Sequence, residues 1–411
     1  MATFEKGNAI IGQSGGPTAA INATLAGVIN GCLCNPAITT TYGMRHGLEG
    51  IIKEDLIDMK DYFYSKEDYD LLCATPGAAL GSCRFKIDSD ETIVNILSVL
   101  EKYDIRYFFY IGGNDSMDAV EKLTEYVNAH EDAWQANFIG IPKTIDNDLY
   151  LTDHTPGYGS AAKHIAITMQ EIVRDVASYT TKSVTIVEIM GRDAGWLTAA
   201  SALTSHLCGV GPDLIYLPEV TFDDDKFIND VNNVLADDSK PYAVIAVSEG
   251  VKRADKTYVA ESAMSGAVDT FGHKYLAGVG KYLETLVREK IGCKVRSIEL
   301  NLPQRCASHV ASRCDIDESF RIGEGAVRHA LVGETGKMMT FRRVKNADTY
   351  TVEVYSEDIA EIANKVRKIP AAFIGEDGVS VTSKCLDYML PLIQGEVSPI
   401  YEDGMPVHFS F

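Results

Sequence analysis

Short apolar runs alternate along this chain with stretches of helical periodicity, and most of the runs stop at Gly, Ser, Asp or Asn instead of a hairpin turn. That alternation is the pattern of a mainly parallel sheet covered by helices, because parallel strands need a long crossover between them. Strands are expected at Asn8–Gly12, Arg106–Ile111, Asn137–Ile141, Val184–Met190, Asp213–Leu217, Ala243–Ser248 and Val295–Leu300. Ile165, Met169, Ile172 and Val176 recur at helical spacing, as do Val279, Tyr282, Leu283, Leu286 and Val287. Such stripes are core faces and carry no functional reading. In open α/β sheets ligands sit beyond the carboxyl ends of the strands, so the strand endings are where chemistry should lie.

With 411 residues, 46% of them hydrophobic, the chain exceeds one typical domain. Two α/β units are expected, each three-layered, Rossmann-like and mainly parallel, with a site in the cleft between them. The first unit spans residues 1–155 and is rejoined by about 306–335; the second spans 156–305; residues 336–411 form a C-terminal appendage. In that last part Lys337–Val344 and Tyr350–Tyr355 read as antiparallel strands, and Ser356–Lys368 as a helix stopped at Pro370.

Charge removes some function classes. Lys and Arg number 38 against 58 Asp and Glu, a formal −20, which argues against a non-specific grip on nucleic acid or acidic lipid. Phosphate can then be held only by local clusters of cations and backbone N–H groups. The nine cysteines show no C-x-x-C or Cys/His metal spacing, so free thiols in a reducing compartment are expected. The start, MATFEKGNAI, lacks the basic and apolar regions of a signal peptide, and no apolar run reaches membrane-spanning length. A cytoplasmic protein is the expectation.

Five segments at strand ends carry the candidate chemistry. Gly12-Gln13-Ser14-Gly15-Gly16-Pro17-Thr18 runs from a strand into a helix, so its glycines can bring backbone N–H groups to an anion. Taken alone it is weak, since many α/β turns need glycine only to turn tightly. Tyr110-Ile111-Gly112-Gly113-Asn114-Asp115-Ser116 ends another strand. Ile141-Pro142-Lys143-Thr144-Ile145-Asp146-Asn147-Asp148 packs acids and a lysine into a stretch that is poor core material. Phosphoryl transfer needs a base, cations for the moving charge and usually Mg²⁺, and this segment could supply the base and one cation. Met190-Gly191-Arg192-Asp193-Ala194-Gly195 ends a fourth strand, and Ser248-Glu249-Gly250 a fifth. Gly81-Ser82-Cys83-Arg84-Phe85 and Pro303-Gln304-Arg305 add arginines.

Together and in this order, from about Asn8 to about Phe320, these segments resemble the phosphofructokinase family. The resemblance implies that Asp146 takes the proton from the sugar's 1-hydroxyl, with Thr144, Ile145 and Asp148 beside it at the transferring group. Arg192 would stabilise that group, while Met190 and Gly191 shape the sugar pocket. Glu249 would hold sugar hydroxyls, and Arg296 and Arg305 the 6-phosphate, with Leu302 where relatives commonly have an aromatic residue or His. Lys182 falls where a neighbouring subunit completes the sugar-phosphate site, which implies a homodimer or homotetramer. Gly15, Gly16, Arg84 and Gly113 would face the donor phosphates. Mg²⁺ is implied as cofactor, with Asp148 and, by position, Asn114 as ligands, although many relatives carry an acid at the latter.

Asp115 and Lys143 point to the donor. Nucleotide-using relatives commonly have glycine at both positions. A carboxylate at Asp115 would face the first phosphate of ATP; like charges roughly 4 Å apart at an effective dielectric near 20 repel by about 4 kcal/mol, on the order of a thousandfold in binding. Lys143 would cradle a departing phosphate. The pair looks like the pyrophosphate-dependent branch, acting on fructose 6-phosphate. An ATP-dependent enzyme and a non-catalytic regulatory subunit on the same fold are the alternatives.

Overall fold

The computed structural model describes residues 6–260, 278–345 and 347–411. The stretch read for a signal peptide thus lies partly outside the described residues. Strands β1 (Gly7–Gln13), β2 (Ile38–Met44), β3 (Leu56–Asp58), β4 (Ile105–Gly112), β5 (Asn137–Pro142), β10 (Lys337–Arg343) and β11 (Val352–Asp358) form one sheet in the order β11-β10-β5-β4-β1-β2-β3. β3 and β11 are its antiparallel edges, and the strands between them run parallel. A second, all-parallel sheet has the order β7-β8-β6-β9, from β6 (Ser183–Ile189), β7 (Leu214–Tyr216), β8 (Tyr242–Ser248) and β9 (Lys294–Glu299). Every strand expected from the sequence is present, shifted at most by a residue at its ends except for Tyr350–Tyr355, which is found two to three residues later at Val352–Asp358.

Both faces of each sheet are covered, which is why the strands read as unbroken apolar runs. In β4, Tyr107, Phe109 and Ile111 pack into one core with the helices Ile21–Leu33 and Arg313–Leu331. Phe108 and Tyr110 point the other way, into a core with the helices Asp90–Lys102 and Asn114–Ala129. The second sheet is sandwiched in the same manner by the helix Tyr158–Ala177 on one side and by Asp224–Val234 and Val279–Lys290 on the other.

The chain returns to the first sheet after the second. Arg313–Leu331 lies directly against Ile21–Leu33 because Gly27 and Gly323 face each other's backbone: a Cβ at Gly27 would overlap the Phe320 carbonyl, and one at Gly323 the Thr24 carbonyl. Beyond residue 336 the structure departs from the expected appendage. β10 pairs in parallel with β5 and so extends the main sheet. The helix expected over Ser356–Lys368 is absent: β11 continues to Asp358, a single 3₁₀ turn covers Ile359–Glu361, and the chain then extends. Ile359, Ile362 and Ala363 supply the helical spacing and are buried, but Asn364 adopts φ +62° and ends the turn. The following residues pair instead with the loop after β5, through Leu149 and Val366 and from the Arg367 amide to the Asp148 carbonyl at 2.7 Å.

Candidate active site

The carboxyl ends of β1, β4 and β5 face those of β6 and β8 across a cavity of about 430 Å³. Gly15, Gly16, Arg84, Gly113, Asn114, Asp115, Lys143, Thr144, Ile145, Asp146, Asp148, Met190, Arg192, Glu249 and Arg305 all line it. Segments far apart in sequence are therefore brought together as their order suggested.

The glycine pair after β1 has a steric explanation. Gly15 sits at φ +74°, and a Cβ there would lie 3.1 Å from the Lys143 Nζ. At Gly16 the same atom would meet the Arg305 Nη2 at 2.5 Å. Two cations thus crowd the backbone where the turn opens toward the helix, so a side chain at either glycine would displace the Lys143 or Arg305 head group. The turn is fixed from beneath by Ser14 and Ser116, whose hydroxyls are hydrogen-bonded, and by the Gly15 amide on the Cys83 carbonyl at 3.0 Å. The last of these also holds the loop that carries Arg84.

Lys143 is only 3% exposed, yet it carries an ammonium group in its ordinary state. Burial lowers its pKa to about 7, and the nearby Arg305 and Arg84 add to that, opposed by Asp146 and Asp148. Burial pushes Asp146 upward as well, against the pull of Arg192, Arg305 and Lys143. Asp148 rises to about 7, through burial and the adjacent Asp146. Three cations converge on a pocket wall alongside the N-terminus of the helix Asn114–Ala129, whose backbone N–H groups add positive potential. That is the equipment of an anion site. Asp115, in the helix's first turn, is the exception and gives this wall a local negative charge.

The opposite wall is shaped by Gly191, at φ +139°, where a Cβ would lie 2.6 Å from the Ala194 carbonyl. Its carbonyl accepts from the Ser248 hydroxyl at 2.6 Å, and its amide donates to Glu249 Oε1 at 3.3 Å. The Met190 amide donates to Gln304 Oε1 at 3.1 Å. Arg192 is thereby turned into the cavity between Met190 and Asp193. Burial raises Glu249 to about 8.

Four expected residues do not line this cavity: Gly191 stands behind its wall, and three lie further off. Lys182 precedes β6, at the end opposite Met190; Arg296 lies in β9, paired with Thr185 of β6; and Leu302 is 60% exposed beside the short helix Pro303–Cys306. Conversely, Asn364 and Val366 from the C-terminal region line it, and no motif spacing could have placed them there. Pro17, Thr18, Asp193 and Ala194 stand inside the recognised segments and could have been included.

Buried carboxylates opposite clustered cations and open glycine turns define a phosphoryl-transfer type of site. The phosphofructokinase family model matches residues 8–329, and the chain belongs to that family. Along nearly its whole length it is 39% identical to a pyrophosphate--fructose 6-phosphate 1-phosphotransferase of Halomonas elongata, covering 97% of this chain and 94% of the relative. It is 38% identical to one of Xanthomonas campestris, covering 98% and 96%. The crystal structure of a pyrophosphate-dependent phosphofructokinase from Nitrosospira multiformis superposes with a TM-score of 0.87 at 36% identity, over 98% of this chain and 95% of that one. Among the described residues no helix is long and apolar enough to cross a membrane.

The Lys143 amine titrates near 10.5 when exposed and near 7 in the fold. Between those values only the unfolded chain holds the proton, so stability rises with pH through that window and the burial penalty is complete below it. The Lys143→Met variant should therefore exceed wild type in stability most strongly at about pH 6.5, and by less at about pH 9.5. Urea unfolding at the two pH values measures the gap; an equal gap at both would contradict the burial of the amine.

Proposed function

We propose that this chain transfers a phosphoryl group reversibly from pyrophosphate to the 1-hydroxyl of fructose 6-phosphate, giving fructose 1,6-bisphosphate and phosphate. The observation that carries this reading is the convergence of Lys143, Arg84 and Arg305 on one wall together with Asp115. The cations suit a compact, highly charged anion, while the carboxylate opposes the inner phosphate of a nucleotide. The full-length relatives named for that reaction support it.

Each residue then has a task. Asp146 accepts the proton of the sugar hydroxyl; burial holds its basicity above that of an exposed carboxylate, nearer the operating pH. Arg192, which faces Asp146 across the cleft, balances charge on the transferring group. Lys143 regains its proton beside the donor anion and steadies the departing phosphate. Glu249, raised to about 8, is protonated at neutral pH and can both donate to and accept from sugar hydroxyls. Gly15, Gly16, Arg84 and Gly113 line the donor end; Thr144, Ile145, Asp146, Met190, Gly191 and Arg305 shape the sugar end. Two units divide the work, the donor-binding one up to about residue 155 and rejoined by about 306–335, the sugar-binding one over 156–305. Lys182 precedes β6 and Arg296 stands on the adjacent β9, both away from the cavity, and both serve a sugar-phosphate site shared with a second copy in a homodimer or homotetramer.

Enzymes of this family generally need a divalent metal, and Mg²⁺ suits the residues present. Among the described residues the Asn114 Oδ1 is buried without a hydrogen-bond partner in the cavity wall, with Asp148 in the same wall. Among the described residues no cluster of three His, Cys, Asp or Glu forms a protein cage. Mg²⁺ takes few protein ligands and fills its shell with water and phosphate oxygens, so Asn114 and Asp148 would hold it. Bound there, it would neutralise charge on the donor phosphates.

Asp146→Asn should lower kcat by about 10² to 10⁴ while the KM for both substrates changes little; steady-state kinetics with fructose 6-phosphate and pyrophosphate give the answer, and near-normal kcat would remove Asp146 as the base. The double variant Asp115→Gly with Lys143→Gly should let ATP bind and greatly lower the pyrophosphate-dependent rate. Full pyrophosphate activity in that variant would contradict the account of donor choice.

A further inference from the structure

The C-terminal region supplies more than two strands to the main sheet. Its extended stretch around Arg367 runs between the two walls of the cleft and touches both. On one side the guanidinium donates from Nε to the Asn147 carbonyl at 3.2 Å and from Nη1 to the Thr152 carbonyl at 2.7 Å, with a further bond to the Asp153 carbonyl. Its own amide donates to the Asp148 carbonyl at 2.7 Å. On the other side its carbonyl accepts from the Trp196 indole at 3.0 Å, and its guanidinium lies 4.5 Å from the centre of that ring. Trp196 opens the helix that follows the Arg192–Gly195 turn. Two residues on, the Ile369 amide shares the Glu219 Oε1 with the Gly195 amide, both at 3.0 Å.

We propose that Arg367 is a positioning residue for phosphoryl transfer, a strut that locks the Asp146–Asp148 turn against the Arg192–Trp196 turn and so fixes the base relative to the cation that faces it. The inference rests on the function proposed above.

The turn needs such a device. Asn147 is fully buried and left-handed at φ +55°, and its side chain bonds the Thr155 amide at 3.0 Å and the Tyr388 hydroxyl at 2.9 Å. Tyr388 in turn donates to the Asp153 carbonyl at 2.7 Å and accepts from the Arg367 Nη2 at 3.1 Å. Loop carbonyls turned inward have no strand partner, and a buried carbonyl without a donor is costly. One planar guanidinium answers three of them at once. A lysine could reach only some of them from a single point. Because Asp146 and Asp148 flank the residue so held, a shift of that turn moves the base relative to Arg192. Misplacement by about 1 Å costs on the order of a hundredfold in rate.

The test measures steady-state kinetics, with pyrophosphate and fructose 6-phosphate, for wild type, Arg367→Met, Arg367→Lys and Tyr388→Phe, alongside thermal unfolding. For Arg367→Met the strut predicts kcat lowered roughly 10- to 100-fold with both KM values within about threefold. Arg367→Lys should recover part of that loss. Tyr388→Phe keeps the ring against Trp196, at 5.2 Å between centroids, and removes only the hydroxyl; it should lower kcat several-fold at unchanged KM and an unfolding temperature close to wild type. A kcat within twofold of wild type in Arg367→Met overturns the proposal. So does a loss that merely follows the folded fraction. If Arg367→Met does not fold, Tyr388→Phe decides alone, and unchanged kcat there overturns it. An inactive wild type would instead refute the proposed function, so the two failures are distinguishable.

Discussion

Everything in this cleft follows from taking Lys143 and Asp146 out of water. Removing an ammonium and a carboxylate from solvent is expensive, and each group responds by moving toward its neutral form, the amine down and the acid up. Arg305 and Arg84 add to the amine's shift, and Asp146 and Asp148 offset it only in part. A pocket with this charge arrangement is under electrostatic tension until a polyanion enters. In the proposed function the amine recharges on entry of the donor, and the same low dielectric that penalised it strengthens its grip. A large interaction energy is thereby reserved for the bound state, where it can act on the reaction.

The two parallel sheets make such burial possible. Their strands end at a common cleft, so backbone turns and a helix N-terminus stand beside the Lys143, Arg84 and Arg305 side chains in its lining. The Lys143 and Arg305 head groups sit against the Gly15-Gly16 turn where a Cβ would displace them, and Gly191 lets the chain reverse so that Arg192 faces Asp146. The helix Arg313–Leu331, packed through glycine contacts on Ile21–Leu33, carries the chain back to the first sheet from the segment bearing Arg305.

Much of this was legible in the sequence, for a physical reason. Parallel strands buried on both faces read as unbroken apolar runs, and their polar endings marked the turns that bear Asp115, Lys143, Asp146, Arg192 and Glu249. The C-terminal region was less legible. Ile359, Ile362 and Ala363 have helical spacing, but the pairing of Arg367 with Asp148 and the left-handed Asn364 are tertiary choices that periodicity does not encode. Asn364 and Val366 reach the cavity from that region for the same reason. Lys182, Arg296 and Leu302 came from family pattern alone, and in a single chain they stand outside the cavity.

Donor choice is the sharpest consequence of the proposed function, in which Asp115 opposes a nucleotide and Lys143 favours pyrophosphate. The most direct measurement is the initial rate of fructose 1,6-bisphosphate formation by the purified protein with Mg²⁺ and fructose 6-phosphate, with pyrophosphate and ATP compared as donors. The account predicts turnover with pyrophosphate and a kcat/KM for ATP lower by about a thousandfold or more. Ready consumption of ATP with pyrophosphate ignored would contradict it.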